Sequence, residues 1–186
     1  MTERTLYTQI PSEWGQFTLV WREGESGGRA CRVFLPRIGA PTAETLPGLF
    51  SGIQPGSSPA MRELLERIQR FLAGEVVIFS VDEMALERCS AFQRRVLLAE
   101  HAVPRGSVTT YGLLAQHLGQ PGAARAVGRA LATNPLPILI PCHRAVAADG
   151  GLGGFQGGLA MKRALLEREG VTFNASGRVI APRVYG

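Results

Sequence analysis

Four consecutive residues, Pro141-Cys142-His143-Arg144, hold the most reactive combination of side chains in the 186-residue chain. A thiolate is the softest anionic nucleophile that proteins possess. An imidazole and a guanidinium beside it place positive charge at hand and favour the ionised sulfur. Two readings stand at this point: a nucleophile, or a buried structural cysteine whose neighbours are coincidental. Upstream, Arg125 and Arg129 are four residues apart and share one helix face. Ala123, Ala124, Ala126, Gly128 and Ala130 make that helix slim enough to enter a groove. It reads equally as a small-residue helix with two solvated arginines. Downstream, residues 150–158 contain six glycines in nine positions. Such a loop exposes amide N–H groups and lets a ligand approach the backbone closely. It lacks both the dinucleotide-binding and the Walker fingerprints.

These residues need elements to hold them. Pro135, Pro137 and Pro141 forbid a helix before the cysteine and predict an extended path, with Ile138-Leu139-Ile140 buried. The spacing predicts two short helices over residues 111–118 and 123–132, joined by the turn Gly119-Gln120-Pro121-Gly122 and capped by Thr109-Thr110. This is a helix-turn-helix candidate. Ser90-Ala91-Phe92-Gln93 reads as a capping box, with Gln93 reaching back, for a helix ending near Ala102. Another helix is predicted from Leu159 to Glu169, stopped by Gly170. Lys162, Arg163 and Arg168 read there as surface charges, and nothing local singles out Glu167 or Glu169.

The first half reads as a small α/β domain. Residues 17–21 and 30–35 are predicted strands joined by the turn-forming 24–28. Residues 36–58 read as a long surface loop. Ser58, Pro59 and Gly74 bracket a helix with Met61, Leu64, Leu65, Ile68, Phe71 and Leu72 on its apolar face. Residues 76–81 form another strand candidate, and Val179-Ile180 a last short one. The domain boundary is placed near Glu87, giving 1–87 and 88–186.

Composition narrows the function classes. Hydrophobic residues make up 45% and charged residues 19%, enough for a packed core. No apolar run reaches the ~18 residues of a membrane span, and the first ten residues lack a signal-peptide core. Three widely spaced cysteines, Cys31, Cys89 and Cys142, exclude a disulfide framework and a Cys-x-x-Cys zinc site. A cytoplasmic location follows as the expectation. Residues 1–90 carry 9 basic and 11 acidic side chains, a balance of −2, whereas residues 91–186 carry 11 and 4, a balance of +7. Lys162 is the sole lysine, so the positive field is almost wholly guanidinium, which suits phosphate contact.

Pro141-Cys142-His143-Arg144, the preceding Asn134-Pro135, the Arg125-Ala126-Val127-Gly128 helix, the glycine-rich loop and Leu165-Leu166-Glu167-Arg168-Glu169-Gly170 together resemble the O6-alkylguanine-DNA alkyltransferase family. The resemblance covers residues 90–170. It implies an α+β fold: a small RNase-H-like N-terminal domain followed by a mainly helical domain with a winged-helix-like helix-turn-helix. It implies that Cys142 takes the alkyl group from O6 of guanine, or O4 of thymine, in double-stranded DNA and keeps it as a thioether. His143 would act as base through a water, oriented by Glu169. Tyr111 would give a proton toward the leaving guanine, and Asn134 would brace the cysteine turn. Arg125 would enter the base stack, with Arg129, Thr110, Ala124 and Gly128 also at the DNA. Pro141, Ala145, Gly153, Phe155, Gln156 and Gly157 would line the pocket.

The same resemblance implies a monomer acting once, without cofactor, on a nucleotide flipped from the duplex. Some members of the family hold a structural zinc in the first domain, but that half has here only Cys31 and Cys89 and no histidine, so no metal is expected. Three positions depart from the family pattern: Ala145 where valine is usual, Phe155 where tyrosine is frequent, and Leu97 in place of a tryptophan. A sequence-specific transcription factor is a poorer fit, because Ala123, Ala124 and Ala126 offer little base-edge hydrogen bonding. A Cys-His hydrolase would require an oxyanion hole and turnover. A non-catalytic lesion binder would not keep Cys142.

Overall fold

The computed structural model describes residues 4–24, 27–36 and 39–186. The chain divides into two compact units: residues 1–86 with Pro135–Pro137, and residues 87–134 with 138–186.

The first unit is built on a four-stranded sheet. Strands β1 (Arg4–Ser12), β2 (Gly15–Gly24) and β3 (Gly27–Phe34) form an antiparallel meander. The predicted turn between β2 and β3 lies partly outside the described residues. β1 was not legible in the sequence because only Leu6 and Ile10 point inward, among polar residues and Pro11. Ser12 closes the β1–β2 turn by donating to the Gly15 carbonyl at 2.7 Å. The predicted loop 36–58 contains helix α1 (Leu46–Leu49) and strand β4 (Gln54–Pro55), which pairs parallel to β1. Leu46 and Ile53 pack with Val20, so this segment carries core side chains rather than only surface ones. Helix α2 (Pro59–Leu72) has the predicted Ser58 cap, whose hydroxyl accepts from the Met61 amide at 3.3 Å. Its buried face packs against β1 and β3.

Residues 76–81 are not a strand. Val76 and Ile78 are exposed, no ladder forms, and the segment instead leads into a 3-10 turn at Val81–Glu83. That turn carries a capping box between Ser80 and Glu83. Arg67 then holds the Glu83 carboxylate from α2.

The second unit is mainly helical. Helix α3 (Ala91–His101) starts at Ser90, whose hydroxyl accepts from the Gln93 amide. The Gln93 side chain does not complete a capping box. It donates instead to Thr133 Oγ1 at 2.9 Å and to the Ala130 carbonyl at 3.2 Å, joining α3 to the end of α5. Strand β5 (Thr109–Thr110) runs directly into helix α4 (Tyr111–His117). Thr110 alone is the cap, accepting from the Leu113 amide at 3.1 Å. Helix α5 (Ala124–Ala132) follows the glycine turn and packs on both α3 and α4.

The segment before Cys142 is not extended. Ile138 adopts φ +78°, a conformation that a β-branched residue rarely takes. Residues 142–144 form a 3-10 turn. Three prolines exclude a helix without dictating a strand, because they fix φ only at their own positions. Strand β6 (Ala145–Val146) leaves this turn and pairs parallel with β5, Thr109 opposite Ala145. The glycine loop leads into helix α6 (Leu159–Arg168), and Gly170 with φ +89° follows its end. Strands β7 (Thr172–Phe173) and β8 (Val179–Ile180) pair antiparallel and close over Val108, Val146, Leu166 and Val171.

Candidate active site

The β5–β6 pairing fixes the site. It ties the first turn of α4, which carries Tyr111, to the exit of the Cys142 turn. The Cys142 amide donates to the Ile140 carbonyl and the Arg144 amide to the Pro141 carbonyl, each at 2.8 Å. Asn134 fastens the same turn from outside: its side-chain amide donates to Ile140 O at 3.1 Å. Gln156 in turn donates to Asn134 O at 2.9 Å, which links the glycine loop to the brace.

Successive residues of a 3-10 turn point about a third of a turn apart, and the chemistry separates accordingly. His143 and Arg144 face Glu169 rather than the sulfur. His143 Nε2 lies 2.9 Å from Glu169 Oε1. Arg144 donates to both carboxylate oxygens at 2.7 and 2.8 Å, and also to the Val103 carbonyl. Burial by itself would raise the Glu169 pKa, but the bonds from His143 and Arg144 pull it down to about 2. Glu169, expected from local sequence to be an ordinary solvated acid, is thus a buried carboxylate. Being ionised, it can only accept, so Nε2 of a neutral His143 is the donor and Nδ1 carries the basic lone pair. Burial keeps the His143 pKa below its usual value despite Glu169, which leaves the ring neutral and able to take a proton.

The expectation that His143 and Arg144 ionise the neighbouring thiol is therefore corrected. Cys142 is 6% exposed, and burial pushes its pKa up to about 11, against a lowering hydrogen bond from Asn134. The sulfur rests as a thiol. A base must remove its proton when the electrophile arrives.

Tyr111 is brought to this turn at the first position of α4 by the β5–β6 pairing. Burial raises its pKa, so the phenol keeps its proton as a potential donor. A Cβ on Gly153 would lie 2.7 Å from Tyr111 Oη, and Gly153 has φ +66°, so only glycine fits this approach. Phe155 stands edge-on to the His143 ring, centroids 6.3 Å apart. Pro141 and Ala145 are buried in the cysteine turn, while Gln156 and Gly157 are half-buried in the loop.

On α5, Arg125 and Arg129 are exposed and Ala124 is half-buried at the first position. Gly128 lies over Tyr111, where a Cβ would meet Cδ1 at 3.8 Å. Thr110, expected at the DNA, is 3% exposed with its hydroxyl engaged as the helix cap, so it is not on that exposed face. Lys162 is not a surface charge. It is fully buried, and Nζ donates to Ala145 O at 2.6 Å and Gly154 O at 3.2 Å. Sequence reasoning also passed over Glu100, fully buried on α3. The available signals were a lone lysine in an arginine-rich chain, and an acid inside the apolar run 96–103.

Comparison with known proteins identifies the family of the chain. Residues 91–171 match the family described as 6-O-methylguanine DNA methyltransferase, DNA binding domain. The methylated-DNA–protein-cysteine methyltransferase of Methanothermobacter thermautotrophicus is 44% identical over 118 residues, covering 62% of this chain and 66% of that one. The Salmonella typhimurium protein of the same name is 43% identical over 107 residues, covering 58% and 62%. The matched segment therefore spans a little under two thirds of these relatives. Over the whole fold, the crystal structure of Mycobacterium tuberculosis OGT in complex with DNA has a TM-score of 0.71 at 34% identity, covering 88% of this chain and 92% of that one. The O6-methylguanine-DNA methyltransferase of Pyrococcus kodakaraensis gives 0.61 at 29% identity. The fold is that of a two-domain α+β DNA alkyltransferase. The chain belongs to the methylated-DNA–protein-cysteine methyltransferase family.

Proposed function

We propose that this protein repairs double-stranded DNA by moving an alkyl group from O6 of guanine, or O4 of thymine, onto its own Cys142. An O6-alkyl group lies within the stack, so the damaged nucleotide must swing out at about a few kcal/mol. Arginine–phosphate contacts and the insertion of Arg125 from α5 offset that cost. Arg129, Ala124 and Gly128 line the same helix, which acts as the second helix of a helix-turn-helix. Residues 88–186 carry binding and chemistry, and residues 1–87 serve as scaffold. Among the described residues no helix is long and apolar enough to cross a membrane. The working place we assign is the cytoplasm, with one chain acting alone.

In the reaction, His143 Nδ1 takes the Cys142 proton through a water while Glu169 holds the ring. The sulfur forms a bond to the alkyl carbon as the carbon–O6 bond breaks. The electron pair stays on the purine, which receives a proton from Tyr111. Tyr111 is reprotonated by the proton held at His143, so the thiol proton ends on Tyr111 and the net transfer is one proton from sulfur to guanine. The thioether is inert, and one molecule repairs one lesion without cofactor.

The observation that supports this most directly is the β5–β6 pairing, which brings Tyr111 and the His143–Glu169-backed Cys142 to one place. The test is mass spectrometry after mixing with duplex DNA containing O6-methylguanine. One methyl, about 14 Da, should appear on the peptide holding Cys142 and be absent in Cys142→Ala. Repeated turnover by unmodified protein would refute the proposal. Arg125→Ala should slow transfer from duplex DNA by about 10- to 100-fold, as expected if the finger offsets a few kcal/mol of unstacking. Transfer from free O6-benzylguanine should be nearly unchanged.

A further inference from the structure

Behind the Cys142 turn lies a second set of charged groups that the alkyl-transfer scheme does not use. Glu100 lies on α3, which packs against residues 142–144, and is fully buried within reach of Arg144 and Ala145. Neither of its carboxyl oxygens has a hydrogen-bond partner at normal distance. Lys162 enters the same region from α6, fully buried, with its ammonium bridging Ala145 O on the cysteine turn and Gly154 O on the glycine loop. With only the Ala145 amide as a weak donor, too long for a full hydrogen bond, this buried carboxyl is held most cheaply as the neutral acid. A buried amine donating to two carbonyls, one at 2.6 Å, favours the charged form.

We propose that Glu100 and Lys162 are positioning residues of the Cys142 site, a buried acid–ammonium pair whose proton count sets the positive charge standing behind the sulfur. The inference rests on Cys142 being the alkyl acceptor. With Glu100 neutral, the charge of Lys162 is uncompensated and aids loss of the thiol proton. With Glu100 ionised, that help is cancelled. The signs agree: Lys162 lowers the Cys142 pKa and Glu100 raises it. Burial lifts Glu100 to about 8, against the lowering effects of Lys162, Arg144 and the Ala145 amide. Burial also lowers Lys162 to about 8. The pair therefore carries one positive charge near neutrality and loses it above about pH 8.

The charged and titratable groups around Glu100 come from every neighbouring element. Lys162 lies on α6, and Arg144 and Cys142 on the cysteine turn. Tyr111 lies on α4 and Tyr185 on the C-terminal segment. Arg144 is already bound to Glu169, and both tyrosines are raised and neutral. Lys162 is left as the group whose charge Glu100 governs.

The test uses the full-length protein and iodoacetamide. The Cys142 sulfur bonds to the acetamide carbon, iodide leaves and the thiol proton goes to buffer, so the rate follows the thiolate fraction independently of DNA. Modification is followed on the Cys142 peptide, separately from Cys31 and Cys89. Glu100→Gln keeps the shape of the neutral acid. It should match the native rate at pH 6.5 and exceed it about three- to tenfold at pH 9, as a shift of up to one pKa unit requires. Lys162→Met should slow the reaction at pH 6.5. Superimposable native and Glu100→Gln profiles, or an equal loss at every pH, would overturn the pairing. Carbon-13 NMR of glutamate-labelled native protein supplies a check that needs no variant: one carboxyl should titrate well above pH 6, and its absence would also overturn it. Transfer from methylated duplex, measured in parallel, reports on the repair reading separately.

Discussion

Two buried carboxylates flank the Cys142 turn, and the protein holds them in opposite ways. Glu169 receives three short hydrogen bonds, two from Arg144 and one from His143, which keep its charge despite burial. Glu100 has none at normal distance and is pushed toward the neutral acid. The same residue type, buried in both places within one unit, thus serves as a fixed anion on one side and a proton store on the other. Burial sets the penalty on charge, and the supply of donors decides whether the charge survives.

The difference gives the two residues opposite pH signatures. Glu169 has a depressed pKa in the fold, so its stabilisation is complete above about pH 4.5 and is lost as pH falls toward 2. Glu100 has a raised pKa, so the folded state keeps a proton that the unfolded chain releases. Stability from this source falls as pH rises from about 4.5 to about 8. The largest effect is expected from Glu169→Gln, which leaves the Arg144 guanidinium buried without its counter-ion and should cost about 3–5 kcal/mol at pH 7. Urea unfolding measures it, and a loss under 1 kcal/mol would mean that water rather than Glu169 satisfies Arg144. Glu100→Gln is expected to do the reverse, stabilising by up to about 4 kcal/mol at pH 8 and by little at pH 4.5. Equal stability of native and variant protein at both pH values would remove the contrast.

How much of this was legible depended on whether the signal was local. Helix α2 announced itself through Ser58, Pro59 and a periodic apolar face, and its cap forms as expected. β1 did not, because a central strand with only Leu6 and Ile10 inward draws its stability from the neighbours it pairs with. Val76 to Val81 failed for the converse reason: an apolar, β-branched run became no strand because no partner edge reaches it. At the site, the motif around Cys142 was plain. The direction in which His143 and Arg144 point was not, since it depends on Glu169, 25 and 26 residues away. Lys162 and Glu100 were invisible for the same reason. Each is an ordinary helical residue until long-range packing removes its water.

The glycine loop sharpens the contrast between side chains placed by packing and backbone placed by the lack of a side chain. Gly153 lets the loop approach Tyr111 at a positive φ. Gly153→Ala should cost about 1–2 kcal/mol from that conformation alone. The added Cβ also forces the Tyr111 hydroxyl aside. Alkyl transfer should therefore fall more than stability does. Single-turnover rates beside thermal unfolding would show it, and a variant that unfolds more easily but transfers at the native rate would detach Tyr111 from the chemistry.

Gln93 offers the smallest test, because its side chain serves packing of the second unit away from both carboxylates. Its amide donates to Thr133 and to the Ala130 carbonyl at the end of α5. A half-exposed hydrogen bond of this kind contributes about 0.5–1.5 kcal/mol. Gln93→Ala should lower stability by that amount at every pH between 5 and 9, since no titrating group takes part. The pH independence separates it from Glu100 and Glu169. Because α5 carries Arg125, loosening its end should weaken transfer from duplex DNA slightly and leave iodoacetamide modification of Cys142 untouched. A pH-dependent change in Gln93→Ala would mean that the helix end is coupled to the buried acids, and the two carboxylates would then no longer be local devices of the cysteine turn.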